Sequence, residues 1–277
     1  HDVTVYEKSD RVGGRVIAGS IPKIKYELDN YRAYLERQLF EAVDNGQVKL
    51  NLNTEADLNM LKEQAYDSIV LAAGTVNSTP KLPGSDKIRT VQATDLLNDP
   101  SLIGDAANIV VVGGGVVGCE TAYWLKYEHD RDVKVVEMLP YIMKGVCTAN
   151  RGHLIYYLRK EGVELLNCSR VTGFDTGLVK INRNVSKGVP DPYNTWQPIL
   201  PENIENPLAP KIGDDNVDET LAADLVVLAL GGKPDSAMFF EAQKERAASE
   251  IFNIGDSFDA GKVLEATRAA QALAYSI

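Results

Sequence analysis

The chain has 277 residues, 44% hydrophobic and 25% charged, with a formal net charge of −10, a composition that supports one large core or two ordinary ones. The acidic balance argues against nucleic acid and anionic membrane as partners, and no apolar run approaches a membrane span. Cys119, Cys147 and Cys168 are too far apart for a redox dithiol or compact zinc site, and His1, His129 and His153 have no metal-ligand spacing, so a reducing, cytoplasmic setting is expected.

The opening stretch HDVTVYEKSDRVGG alternates as a strand from Asp2 to Glu7, then reaches Gly13 and Gly14. In a dinucleotide-binding βαβ unit, an acid ending the second strand hydrogen-bonds the adenosine ribose. The expectation is a chain that starts at this second strand, with the first strand and its glycine turn upstream in a longer polypeptide. Next, NYRAYLERQLFEAVDNG sets Tyr31, Leu35, Leu39 and Val43 at helical spacing and stops at Asn45–Gly46. VKLNLN reads as a strand, DLNMLKEQA as a short helix, and YDSIVLAAGT as an apolar strand entering a tight turn. This order predicts an α/β unit with a mostly parallel sheet.

STPKLPGSD marks a domain crossing, and ATDLLNDP a connecting helix. A second α/β unit opens at Ala107. Its helix VGCETAYWLKYEH leads to the strand DVKVVEM, a helix near GHLIYYLRKEG and the strand VELLN. Half of the twelve prolines fall between Pro190 and Pro210, together with Trp196. That interval reads as a loop or elaborated hairpin, either a surface ornament or a docking surface for another domain. DLVVLALGG then predicts a buried strand, and the chain ends with a strand, a turn and a helix.

The strongest motif is NIVVVGGGVVGCETAYWL, in which Gly113, Gly115 and Gly118 satisfy GxGxxG between an apolar strand and an amphipathic helix, with Gly114 inside the motif. Gly113 permits the tight turn, Gly115 lets backbone approach a pyrophosphate, and Gly118 allows close helix–strand packing. The phosphates would lie over the helix N-terminus. Glu137 ends the following strand, nineteen residues past Gly118. A carboxylate there accepts from a free ribose 2′-OH and repels a 2′-phosphate, and no arginine follows it closely, which favours NADH over NADPH.

The order of these motifs resembles the pyridine nucleotide–disulfide oxidoreductases: an acid with a Gly-Gly pair, LAAGT, a complete GxGxxG unit, LALGGKPD and NIGDS. Within that architecture, YEKSDRVGG, VLAAGTVNSTPKLPG and VVVGGGVVGCETAYWL look most like the carboxy-terminal half of the Old Yellow Enzyme-like NADH:flavin oxidoreductases. That group includes 2,4-dienoyl-CoA reductase, 2-enoate reductase and trimethylamine dehydrogenase. The resemblance implies an α/β fold of two Rossmann-like dinucleotide-binding domains. Residues 1–105 with 236–277 would form a discontinuous FAD-binding-like domain, truncated at its N-terminus, and 106–235 an NAD(P)-binding domain with a proline-rich insertion at 183–219.

It also implies roles for individual residues. Glu7 matches the acid that holds the FAD adenosine ribose. Gly13, Gly14 and Arg15 lie near the diphosphate, Ala56 along the adenine, and Ala73–Gly74 closes over the cofactor. Asp256, after Gly255, would bond the ribityl chain, with Val263 nearby at the start of the last helix. Glu120 matches an acid close to the nicotinamide. Cys119 reads as a small core filler. No acid–base residue is expected to be catalytic, because the cofactor carries the hydride chemistry.

The implied activity is electron entry, with hydride passing from NADH to FAD and electrons onward to FMN and a 4Fe-4S iron–sulfur cluster. Those two centres belong to a missing N-terminal barrel region of the same protein, and a homo-oligomer is compatible. Two rival readings stand beside this one. The first is a catalytically silent NAD- or ADP-binding fragment unable to hold FAD. The second is an amine-oxidase-like flavoenzyme, suggested by EKSDRVGGR and opposed by the complete second GxGxxG unit.

Overall fold

Runs of β-branched residues flanked by glycine turns set the order of the elements, which a computed structural model describes for residues 1–196, 204, 207 and 209–277. The chain begins β1 (Val3–Tyr6), α1 (Arg15–Ser20), α2 (Tyr26–Asp44), β2 (Val48–Asn51), α3 (Leu58–Glu63), β3 (Ser68–Leu71) and β4 (Thr75–Asn77). It continues through β5 (Thr90–Gln92), α4 (Ala93–Asn98), β6 (Asn108–Val112), α5 (Val116–Tyr127), β7 (Asp132–Val136), α6 (Thr148–Lys160) and β8 (Glu164–Leu166). Then come β9 (Ser169–Asp175), β10 (Leu178–Asn184), β11 (Asn216–Ala222) and β12 (Leu225–Leu228). The last elements are β13 (Gly232–Pro234), α7 (Ala237–Glu245), β14 (Glu250–Asn253) and α8 (Val263–Ala274). No helix among the described residues is long and apolar enough to cross a membrane.

Two compact units result, His1–Ser78 with Gly231–Ile277, and Thr79–Leu230. These crossings differ from the expected 105/106 and 235/236. Thr90–Gln92 is short and partly polar, so it does not read as a strand, yet it pairs in parallel with β12 in the second unit's sheet. Leu96 and Leu97 of α4 are buried in the same unit. On the return, Gly232–Pro234 pairs antiparallel with Thr75–Asn77 and so belongs to the first unit.

The second unit is a parallel sheet in the order β5-β12-β6-β7-β8. Strand alternation sends Val110, Val112, Val136, Val226 and Leu228 into one cluster with Phe174, Val179 and Ile181 of the antiparallel sheet β11-β10-β9. Their neighbours Ile109, Val111, Val135, Leu225 and Val227 are buried as well. Strands covered on both faces read as continuous apolar runs, which is how IVVV and LVVL look in the sequence.

The first unit has two parallel pairs, β1 with β2 and β3 with β14. Its small core gathers Leu61, Ile69, Ala242 and Ala247, with Tyr6, Ala56 and Leu71 packed against it. The expected insertion of 183–219 includes the ends of the β10–β11 hairpin. Of the segment between those strands, residues 197–203, 205, 206 and 208 lie outside the described residues. The part up to Trp196 is no surface ornament: it is bonded to the second unit at Val163, Leu165, Asn167 and Arg151.

Candidate functional site

In the second unit the chain leaves β6 toward β7, while β12 and β5 lie on the other side of β6. Open parallel sheets bind ligands beyond the carboxyl ends of the strands at such a reversal. Gly113 turns the chain there at φ +111, where a Cβ would fall 2.4 Å from the Ala229 carbonyl oxygen. On Gly118 a Cβ would meet the Gly113 oxygen at 1.9 Å, so α5 approaches β6 this closely only with glycine. Gly115 has nothing within 4 Å of its Cβ position, and it caps α5 without a side-chain acceptor for the helix's first N–H groups. Open space beside uncapped amides suits a phosphate.

Glu137 braces this turn. It is 9% exposed, and its carboxylate accepts the Gly114 N–H through Oε2 and the Leu139 N–H through Oε1, each at 2.7 Å. A carboxylate offers about four acceptor positions, so about two remain for further hydrogen-bond donors. A Cβ on Gly114 would sit 2.8 Å from Glu137 Cβ and 2.9 Å from Ile142 Cδ1. The middle glycine of the GGG run is the legible trace of this contact. Ile142 and Met143, in the loop after β7, escaped the sequence reading because nothing in EMLPYIM marks them. The Met143 N–H donates to the Gly114 carbonyl at 2.8 Å, with Met143 held at φ +53.

Cys119 and Glu120 lie in the first turns of α5. Cys119 is fully buried, its Sγ 3.6 Å from the Gly114 oxygen. Burial pushes its thiol pKa upward, and Glu137 and Glu120 add to the effect. That suits a core residue rather than a nucleophile. Glu120 is half-buried.

In the first unit, the singled-out residues gather in two groups. Glu7 follows β1, and its Oε1 accepts the Ser9 N–H and hydroxyl, each at 2.8 Å. Its carbonyl accepts the Thr54 N–H at 3.0 Å, which brings it beside the loop carrying Ala56. The second group surrounds the carboxyl ends of β3 and β14. Ala73 and Gly74 follow β3, and the Ile254 N–H donates to the Leu71 carbonyl at 2.9 Å, setting Gly255–Asp256 next to that turn. Arg15, after Gly13 and Gly14, reaches the same region by donating to the Thr75 carbonyl at 2.7 Å and Asn77 Oδ1 at 2.8 Å. Asp256 Oδ1 accepts the Gly261 N–H at 3.0 Å, ahead of α8 and its first residue Val263.

A parallel sheet with a glycine turn at its switch point, an acid fixed beneath that turn and an open helix N-terminus define a Rossmann-type dinucleotide-binding fold. Comparison with known proteins gives the family. Residues 5–257 match the family model described as pyridine nucleotide-disulphide oxidoreductase, and the chain belongs to that family. It is 26% identical over 279 residues to an NADH oxidase of Thermoanaerobacter brockii, covering 100% of this chain and 37% of that protein. To the bilirubin reductase of Mediterraneibacter gnavus it is 29% identical over 257 residues, covering 92% and 34%. The structure of 2-naphthoyl-CoA reductase with 2-naphthoyl-CoA matches at a TM-score of 0.80 and 26% identity, covering 100% of this chain and 36% of that one. The chain therefore spans little more than a third of these relatives.

Membership implies a flavoprotein oxidoreductase fold for FAD and NAD(P)H. The second unit fits a pyridine dinucleotide: it has no room for side chains at 113 and 118, open space at 115 and an acid at 137. The first unit fits FAD in part. It carries Glu7 and Asp256 after strand ends, but the helix that directly follows its Gly-Gly pair, α1, has six residues.

Proposed function

We propose that this chain is the electron-entry portion of an NADH-dependent flavin oxidoreductase, with NADH on the second unit and FAD on the first. FAD supplies the hydride acceptor when bound. Gly113, Gly115 and Gly118 would admit the NADH pyrophosphate, and Glu137 would hold the adenosine ribose by its 2′-hydroxyl. Glu120 would lie toward the nicotinamide. On the first unit, Glu7 would take the FAD ribose, Gly13, Gly14 and Arg15 the diphosphate region, and Ala56 the adenine. Ala73, Gly74, Gly255, Asp256 and Val263 would line the flavin end. The remaining two thirds of a longer protein would carry FMN, an iron–sulfur cluster and the terminal substrate.

The observation that carries this reading is the Gly114–Glu137 bond beneath an open helix N-terminus. A second reading, a silent nucleotide-binding piece, is favoured by the engagement of Glu7 with Ser9 and the shortness of α1. The two are separated by the visible spectrum of the purified chain, taken anaerobically before and after FAD and then NADH. Bound flavin that bleaches with NADH supports electron entry. A colourless chain that binds NADH supports the silent piece, and a chain that binds neither overturns both.

A further inference from the structure

The first arm of the proline-rich insertion is bolted to the second unit beside the dinucleotide turn. Tyr193 donates its hydroxyl to the Val163 carbonyl at 2.7 Å and accepts the Leu165 N–H at 3.1 Å, covering β8, the outer strand of its sheet. Two buried polar side chains then join this arm to the loop after Glu137. Asn167, 1% exposed, donates from Nδ2 to the Pro140 carbonyl at 2.7 Å and the Pro190 carbonyl at 2.8 Å. Arg151, 2% exposed, donates from Nε to the Ile142 carbonyl at 2.8 Å and from a terminal nitrogen to the Asn194 carbonyl at 2.7 Å. Of the two bridged loop residues, Pro140 and Ile142, Ile142 touches the turn, and Met143 follows it directly. Ile142 packs on Gly114, and Met143, in a left-handed conformation that a side chain disfavours, donates to the Gly114 carbonyl.

We propose that Arg151 and Asn167 are positioning residues for the pyridine dinucleotide, which make the affinity of the second unit for NADH depend on the docked insertion. The inference rests on the reading of that unit as the NADH site. Its physical basis is the cost of a buried charge that loses an acceptor. If the arm lifts, Arg151 forfeits the Asn194 carbonyl while remaining inside the protein, so arm and loop are held or released together. Burial already pushes the guanidinium pKa below its ordinary value. Lysine cannot reproduce the bridge, because one ammonium does not span two carbonyls as the planar fork does.

The test is NADH titration of the purified chain as wild type, Tyr193→Phe, Arg151→Met and Arg151→Lys, with hydrogen exchange of the Met143 amide in nucleotide-free protein. Arg151→Met, which removes both carbonyl bonds of the guanidinium, is expected to raise the NADH Kd about tenfold or more. Arg151→Lys should recover part of that loss. Tyr193→Phe, which alters the arm at β8 and leaves every loop bond in place, should raise Kd about threefold and speed Met143 exchange. If Tyr193→Phe changes neither quantity, the coupling is wrong, even where Arg151→Met weakens binding or fails to fold. A wild-type chain that binds no NADH overturns the NADH reading, and Met143 exchange in Tyr193→Phe still decides whether the insertion holds the loop.

Discussion

Each unit places an acid immediately after a parallel strand, Glu7 after β1 and Glu137 after β7, and the two acids have different surroundings. β7 lies between β6 and β8, so Glu137 meets the glycine turn of the neighbouring strand and bonds Gly114. β1 pairs only with β2 among the described residues, and the Glu7 carboxylate bonds Ser9, two residues along its own chain. The difference extends to packing. α5 buries seven residues, whereas α2 and α8 bury none, and Val3 and Val70 in strands of the first unit are 39% and 41% exposed. Glu137 thus takes its geometry from the strand beside its own. The parallel pairs of the first unit are two-stranded among the described residues, and such pairs are marginal by themselves.

The largest expected effect breaks the better-built side. Gly118→Val would drive a side chain into the Gly113 carbonyl, and NADH affinity should fall by about a hundredfold or more as the turn opens. Exchange rates in β1 and β3 should stay as they are. A Gly118→Val chain with near-normal NADH affinity would remove the turn from the site. A smaller effect compares the two cores directly. Leu225→Ala, at a fully buried position of β12, should cost about 3 kcal/mol, and Leu50→Ala, half-buried in β2, about 1 kcal/mol. Hydrogen exchange read separately in each unit measures both, because the chain need not unfold in one step. Equal costs would mean that the first unit has as complete a core as the second.

How much could be read in advance follows the same division. The second unit was legible because its strands are buried on both faces and its turn needs glycine for steric reasons, so IVVVGGG and LVVL declare themselves. β5 was not, because an outer strand three residues long carries too little pattern to count as one. The strands β9 and β10 are illegible as well, since SRVTGFDTGLVKINRN mixes charge with alternation and owes its core face to Phe174, Val179 and Ile181. Gly114 stands inside the motif with no reason for it legible beside it. The reason, contact with Glu137 and Ile142, joins residues more than twenty positions away and lies in no local window. The roles of Arg151 and Asn167 were illegible on the same ground: their partners are backbone carbonyls, which no residue type announces.

The smallest effect concerns carboxylates remote from either site and asks whether the units differ in acid as they do in packing. Asp224 Oδ2 accepts the Asn108 N–H at 2.7 Å, the Asn108 side-chain amide at 3.2 Å and the Ala107 N–H at 3.0 Å. These bonds, Asn108's first, with Arg89 nearby, hold its carboxyl below the ordinary 3.8. In the first unit, Glu245 is lowered from 4.5 by Lys62, 2.8 Å away. Both folded values lie below the unfolded ones, so each contribution is fully present above the ordinary value and is lost as pH falls through the depressed one. Asp224→Asn should therefore flatten the acid side of the second unit's stability profile below pH 3.8, and Glu245→Gln that of the first below 4.5. Salt discriminates between them. Glu245 answers to an exposed lysine whose attraction is screened, while Asp224 is held chiefly by amides that salt does not remove. Raising ionic strength should erase the Glu245→Gln difference and leave most of the Asp224→Asn difference. Acid unfolding of each unit at low and high salt, followed by exchange, would show whether the first unit relies on side-chain charge where the second relies on backbone.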